Sequence, residues 1–268
     1  MQLIKLTLSL IFLLNICGIG ISKTNILFVG NSLTHYNDMP KLFQKISNLN
    51  NERVSVSSLP QDGSLLPVEL DVKRLLESDN ILIKKIKEGD IDIICLQEMP
   101  NNFLKPIEAD LTFKSILKLD SVCQLYGCRL IVFQPYISPV FPRKYCSMLP
   151  NRSGVECTEE FTFLFQVIEK SHAFFKKLKS YSNVEVAYIG DVFAECSSTK
   201  NDFSLYSDDD EFHPSVLGSY LIAGVYFTTC FNKEIAKQLK IRNLKANYIE
   251  EATKIINNNL HKVLNRDN

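Results

Sequence analysis

Short apolar runs and longer stretches with helical periodicity alternate along the chain. The apolar runs are typical of buried β-strands and lie at residues 26–29, 54–57, 91–96, 129–133 and 184–189. The helical stretches lie at residues 40–48, 67–88, 105–125, 161–178, 214–231 and 234–264. Because strands that alternate with helices form parallel β-α-β units, the pattern predicts an α/β fold, a three-layer α/β/α sandwich with a mainly parallel sheet.

The start of the chain has a different pattern. Residues 1–22 combine a basic residue at Lys5, an apolar core and small residues up to Gly20, which is the order of a secretory signal peptide. The apolar core is shorter than the ~20 residues that a membrane span needs. We therefore expect a cleaved signal peptide over 1–22, a single domain over 23–268, a secreted or extracytoplasmic protein, and no stable membrane insertion after cleavage. A glycosylation sequon at Asn151 agrees with export.

The eight cysteines also bear on export, since disulfides form in oxidising compartments. Cys146 and Cys157 flank a loop-like stretch, and Cys123 and Cys128 flank a helix-to-strand corner, so both pairs are disulfide candidates. The alternative that most of the cysteines are unpaired core residues stays open. The sequence has no Cys-x-x-Cys motif, which gives a zinc site little support.

Charge narrows the class of partner. Lys and Arg total 30 and so do Asp and Glu, which leaves a formal net charge of zero. Nucleic acids and anionic membrane surfaces both select a basic face, so neither is expected as the main partner. A small-molecule or carbohydrate substrate fits this composition better.

The first apolar run ends in a small polar turn. Gly30 stops the run, and Asn31 and Ser32 follow just before a predicted helix start. Ligands of parallel α/β sheets bind at the carboxyl ends of the strands, which is where this turn places Ser32. Ser32 is therefore a candidate nucleophile, provided that a base can take its proton.

His213 is the best candidate for that base among four histidines. Pro214 disfavours helical backbone at His213 and places it in an extended loop. Asp210, three residues earlier, could hydrogen-bond the imidazole Nδ1 and hold the tautomer in which Nε2 accepts a proton. A solvated acidic loop with a chance histidine, or a weak cation site, stays open as the alternative, although the run lacks the glycine and spacing of a calcium loop. His35 could line the same site.

An ester hydrolase also needs donors for the oxyanion of its tetrahedral intermediate. The backbone N–H groups of Ser32 and Gly63 are candidates, since a loop glycine lets backbone approach a ligand closely. A side-chain amide from Gln97 or Asn101, both just after the third apolar run, could supply another donor.

These motifs together resemble the SGNH (GDSL-type) hydrolase superfamily, whose blocks run Ser, Gly, Asn and Asp-x-x-His. Gly30-Asn31-Ser32-Leu33 resembles the first block, with asparagine where aspartate is common, and Gly63 matches the second. Asp210-Glu211-Phe212-His213-Pro214-Ser215 resembles the last block closely.

The third block departs from the family pattern. Asn101-Asn102 fall where Asn-Asp would, without the preceding glycine, and Leu96-Gln97-Glu98 resembles a stretch found in some subfamilies. The oxyanion amide is therefore either Asn101 or Gln97, and we prefer Asn101.

The resemblance implies a flavodoxin-like α/β/α fold and a Ser-His-Asp serine esterase with no metal and no organic cofactor. By analogy with subfamilies that share these variants, we expect a carbohydrate O-acetylesterase. Two alternatives remain: a lipase or lysophospholipase that uses the same site, and a catalytically silent carbohydrate-binding relative.

Overall fold

The computed structural model describes residues 23–59, 81–98, 100–103, 106–136, 138, 160–198 and 204–267. The predicted signal peptide, Gly63, the Asn151 sequon and the Cys146–Cys157 pair lie outside these residues. Within the described ranges, no helix combines the length and apolar character needed to cross a membrane.

The core of the fold is a parallel sheet of five strands. The strands are β1 (Thr24–Val29), β2 (Val54–Leu59), β3 (Ile93–Leu96), β4 (Arg129–Phe133) and β5 (Glu185–Ala187). Their spatial order is β2-β1-β3-β4-β5, and every neighbouring pair is parallel. This is the flavodoxin-like order, whose topological switch point lies between β1 and β3.

Helices cover both faces of this sheet. They are α1 (Ser32–His35), α2 (Met39–Leu49), α3 (Ile81–Lys87), α4 (Pro106–Leu125), α5 (Glu160–Lys179), α6 (Ile189–Ser198), α7 (Val216–Phe231) and α8 (Ala246–Asp267). One apolar cluster packs α2, α6, α7 and α8 against the first face, and a second packs α3, α4 and α5 against the other. The predicted three-layer α/β/α fold is confirmed.

The apolar run of β1 is explained by burial on both faces. Ile26 and Phe28 belong to one cluster, whereas Leu27 and Val29 belong to the other, and all four are at most 1% exposed. A central parallel strand needs apolar side chains on both faces and therefore shows no polar alternation. The end of the strand that leads to Ser32 is thus enclosed on both faces of the sheet.

Two helices begin later than predicted, and one helix was not predicted. Helix α7 begins at Val216 because Ser215 is its N-cap, with Oγ accepting from the Gly218 N–H at 3.1 Å. The predicted helix from residue 234 begins only at Ala246. Helix α6 was not predicted, because its apolar start at Ile189 extends the apolar run of β5.

The predicted disulfide between Cys123 and Cys128 is not formed. Both are buried free thiols, and their side chains are hydrogen-bonded to each other. They lie in the apolar cluster beneath α4, an environment that suits reduced cysteine as a small apolar residue. Among the described residues, Cys95, Cys123, Cys128 and Cys230 are buried free thiols, which agrees with the open alternative of unpaired core residues.

Candidate active site

A tight turn between β1 and α1 carries Ser32. A Cβ on Gly30 would lie 2.3 Å from Thr34 Oγ1 and 2.9 Å from Gln97 Oε1, so only glycine fits there. Asn31 is the N-cap of α1, and its Oδ1 accepts the Leu33 N–H at 3.0 Å. The asparagine at this position therefore begins the helix that presents Ser32.

Gln97 fixes this turn from the end of β3. Its Oε1 accepts the Asn31 N–H at 3.0 Å and the Thr34 hydroxyl at 3.1 Å, while its Nε2 donates to the Glu98 carbonyl at 2.8 Å. Gln97 is only 5% exposed. The amide oxygen of Gln97 therefore binds the nucleophile turn, at the switch point between β1 and β3.

The structure brings Ser32, His213 and Asp210 together. His213 Nε2 lies 2.8 Å from Ser32 Oγ, and Nδ1 lies 2.5 Å from Asp210 Oδ2. Since the carboxylate can only accept, Nδ1 carries the proton and the Nε2 lone pair faces the Ser32 hydroxyl. Ser32 and His213 are 181 residues apart in the sequence, whereas Asp210 and His213 are three residues apart.

Asp210 also organises the loop that carries His213. Its Oδ1 accepts the N–H groups of Phe212 at 2.8 Å and His213 at 2.9 Å. The Ser207 N–H donates to the His213 carbonyl at 2.8 Å, and Glu211 takes the left-handed conformation with φ of 56°. One carboxylate thus holds both the imidazole and the backbone around it.

The charges of the site follow from these contacts. Burial would raise the pKa of Asp210, but hydrogen bonds from the His213 ring and from the His213 and Phe212 N–H groups outweigh it and lower the pKa to about 2. Burial lowers the pKa of His35, against the effect of the Leu59 and Gly30 carbonyls. At neutral pH, Asp210 is therefore ionised and His35 is neutral, with its Nε2 3.1 Å from the Gly30 carbonyl oxygen.

The structure describes only some of the predicted oxyanion donors. Ser32 is the first residue of α1, and in the described part of the chain its N–H meets no acceptor, as befits a helix N-terminus. Asn101 lies in a 3-10 turn, Pro100–Phe103, and only its backbone is described. Gly63 lies outside the described residues, and the roles of Asn101, Gln97 and Gly63 at the oxyanion stay predictions.

A cavity of about 690 Å³ opens beside Ser32, between the start of α2 and the end of β2. Its lining residues are polar or charged except for two: Ser32, His35, Tyr36, Asp38, Lys41, Gln44, Ser57 and Ser58, together with the apolar Pro40 and Val56. Hydroxyl, amide, ammonium and carboxylate groups thus surround the space next to the serine. Across the described residues, no group of three or more His, Cys, Asp or Glu side chains is placed to hold a metal ion.

Tyr36 is a site residue that the sequence does not predict. Its ring is stacked on the His213 imidazole, with centroids 4.5 Å apart and planes within 10°. The only local signal is the Asn37-Asp38 pair after it, two residue types that tolerate left-handed backbone. A sequence pattern does not reveal which distant ring such a turn will face.

Comparison with solved structures places this arrangement among known folds. No model of a known protein family matches the sequence, and neither does any curated protein. A DUF4886 family protein from Bacteroides uniformis superposes with a TM-score of 0.65 at 12% identity, over 88% of this chain and 94% of that one.

Two further structures match at similar coverage. A proposed SGNH hydrolase from Slackia heliotrinireducens has a TM-score of 0.55 at 19% identity, over 78% of this chain and 100% of that one. A family 3 carbohydrate esterase from Clostridium thermocellum has a TM-score of 0.53 at 12% identity, over 79% of this chain and 96% of that one. The predicted resemblance is therefore confirmed at the level of the fold: the chain has the α/β/α fold of the SGNH hydrolases.

Proposed function

We propose that the chain is an exported serine esterase that removes O-acetyl groups from carbohydrate. The observation that carries this proposal is the unbroken chain of hydrogen bonds from Ser32 through His213 to Asp210. A serine hydroxyl becomes nucleophilic when a positioned base takes its proton, and a buried or hydrogen-bonded carboxylate stabilises the imidazolium that results.

The reaction has two halves. In the first, Ser32 Oγ attacks the ester carbonyl while Nε2 of His213 takes the hydroxyl proton, and the tetrahedral intermediate collapses as His213 protonates the leaving alcohol. In the second, His213 takes a proton from water, which attacks the acyl-serine and releases the acid and Ser32.

The developing oxyanion needs donors throughout. The N–H of Ser32 supplies one, since the first residue of α1 has no intrahelical acceptor for its N–H. We assign further donors to the Gly63 N–H and to the side-chain amide of Asn101 or Gln97. The contacts of Gln97 with the nucleophile turn favour Asn101 for this role.

The substrate class is inferred from the cavity beside Ser32. Its polar lining suits a substrate rich in hydroxyl groups better than a long acyl chain, which selects an apolar groove. The fold likeness to a carbohydrate esterase agrees with this choice as an analogy. The balanced charge and the signal-like residues 1–22 fit an exported enzyme with a neutral substrate.

The test is acetate release from a peracetylated disaccharide and from 4-nitrophenyl acetate by the mature chain, residues 23–268. We expect Ser32→Ala to lower turnover by a factor of about 10⁴ or more, because no other group replaces the nucleophile. Ser180→Ala is the matched control, since its exposed hydroxyl donates to the Lys177 carbonyl of its own helix end. Equal turnover by wild type and Ser32→Ala would rule out the esterase proposal.

A chain-length series separates the substrate classes. Acetyl esters should be cleaved faster than octanoyl and palmitoyl esters of the same alcohol. A preference for the long acyl chains would replace the carbohydrate proposal with the lipase or lysophospholipase alternative. Binding of acetylated sugar without turnover by the wild type would favour the catalytically silent relative.

A further inference from the structure

We propose that Tyr36 is a positioning residue for this reaction, and that the strained turn Tyr36–Asp38 holds its ring against His213; this inference rests on the proposed function. The stacked rings are 4.5 Å apart and nearly parallel. The Phe212 ring makes a second contact with the imidazole, with centroids 5.0 Å apart and planes at 76°. Together the two rings limit how far the imidazole can tilt away from Ser32.

The turn that carries Tyr36 has unusual backbone. Asn37 has φ of 54° and ψ of 27°, and Asp38 has φ of 56° and ψ of 40°, so two consecutive residues other than glycine are left-handed. Such backbone is disfavoured and persists only where the surrounding contacts impose it. Its occurrence at the two residues that follow Tyr36, close to the nucleophile, points to a positional role.

The contacts that impose this backbone come from the histidine side of the site. The side-chain amide of Asn37 donates to the Pro214 carbonyl at 2.8 Å and to Ser219 Oγ at 3.0 Å. Ser219 is buried in α7, and its hydroxyl donates to the Tyr36 carbonyl at 3.3 Å. Asn37 therefore links the segment after the nucleophile to Pro214, the residue that directly follows His213.

This arrangement has a consequence for catalysis. Ser32 begins α1 and His213 lies in the loop before α7, and the hydrogen bond between them requires both segments to keep their relative position. The Asn37 amide holds the backbones of these two segments together, and the Tyr36 ring restricts the plane of the imidazole. The ring face also favours the imidazolium that forms as Ser32 attacks, because an aromatic face attracts a cation.

Tyr36 also borders the cavity beside Ser32, so a role in substrate binding has to be separated from positioning. Steady-state kinetics with 4-nitrophenyl acetate makes this separation, since loss of positioning lowers kcat whereas loss of uniform binding raises KM. The variants are Tyr36→Leu, which removes the aromatic face, and Tyr36→Phe, which keeps it. Tyr126→Leu, at an exposed tyrosine beyond α4, is the matched control.

We expect Tyr36→Leu to lower kcat about 10-fold with KM changed by less than about 2-fold, and Tyr36→Phe to keep most of the kcat that Tyr36→Leu loses. Tyr126→Leu should stay within about 2-fold of wild type in both constants. An unchanged kcat in Tyr36→Leu, or a rise in KM alone, would overturn the positioning role while leaving the esterase proposal intact. Wild type that neither turns over the ester nor labels at Ser32 would overturn the esterase proposal, and the positioning role with it.

If circular dichroism shows that Tyr36→Leu does not fold, Asn37→Asp replaces it. Aspartate keeps the size of the side chain and tolerates left-handed backbone, but its carboxylate cannot donate to the Pro214 carbonyl. We expect a fall in kcat of about 10-fold for this variant as well, and wild-type kcat would overturn the inference.

Discussion

At the scale of single residues, Asp210 does more than accept one hydrogen bond. It accepts from the His213 ring and from two backbone N–H groups, so its negative charge stabilises the loop as well as the imidazole. The spacing of Asp210 and His213 predicts their pairing. The backbone contacts follow from the left-handed turn at Glu211, which the sequence pattern does not reveal.

This arrangement predicts how stability depends on pH. The pKa of Asp210 is lowered from 3.8 to about 2, so the folded state binds the proton more weakly than the unfolded chain. The stabilisation is complete above about pH 4 and is lost as the pH falls towards 2. The side chain is 33% exposed, so we expect this contribution, after screening, to be about 1 kcal/mol.

The measurement is urea unfolding at several pH values between about 5 and 2 for wild type and Asp210→Asn. The free energy of unfolding of wild type should fall more steeply with acidification than that of the variant, which lacks the titrating group. Parallel curves for the two proteins would mean that Asp210 is not held in its ionised form by the fold.

At the scale of elements, the site is assembled where the ends of β1 and β3 meet. The turn after β1 supplies Ser32, and Gln97 at the end of β3 binds the backbone of that turn. Both residues lie at the topological switch point of the sheet, where adjacent connections leave in opposite directions. Because β1 and β3 are adjacent and parallel, the segments that follow them lie next to each other.

Gln97→Met tests this connection. The substitution keeps the volume but leaves the Asn31 N–H and the Thr34 hydroxyl without their acceptor, so we expect a loss of about 1–3 kcal/mol in the free energy of unfolding. Turnover per folded molecule should fall as well, because the turn is no longer fixed. Gln238→Met, at an exposed position in the segment before α8, is the control and should change neither quantity. Wild-type turnover in Gln97→Met would show that the turn does not need this support.

The elements themselves were largely predictable, because burial on both faces of a parallel sheet leaves apolar runs such as β1 and β4. The partners of Gln97 were not predictable. Its Oε1 accepts a backbone N–H from a residue 66 positions away in the sequence. Because every residue except proline has this group, no residue type marks the contact. The boundary of α8 was missed for a related reason: the segment before it is held by Asn50, whose Oδ1 accepts the N–H groups of Ala236 and Lys237.

At the scale of the whole molecule, the two ends of the parallel strands have different roles. The site lies at the carboxyl ends of the strands, whereas Arg129, at the amino end of β4, joins three elements. It makes a paired contact with Glu185 of β5, both distances being 2.8 Å, and donates to the Cys230 carbonyl of α7 at 2.8 Å. This contact stabilises the fold and lies at the end of the strands opposite to Ser32.

Arg129→Met should therefore separate stability from activity. We expect a loss of about 1 kcal/mol in the free energy of unfolding, since the ion pair is partly exposed but bidentate, with kcat and KM unchanged below the unfolding transition. Urea unfolding and ester hydrolysis measured on the same preparation decide this. A large fall in kcat without a change in stability would contradict the division between the two ends of the strands.

The central claim is that Ser32 is a nucleophile activated by His213, and covalent labelling tests it without knowledge of the substrate. After treatment with a fluorophosphonate, peptide mass spectrometry should find the adduct on Ser32 in wild type and in the control His261→Ala. Labelling should be lost in Ser32→Ala and slowed about 100-fold or more in His213→Ala, since the hydroxyl then has no base. No adduct on Ser32 in folded wild type, or equal labelling rates in wild type and His213→Ala, would contradict the claim.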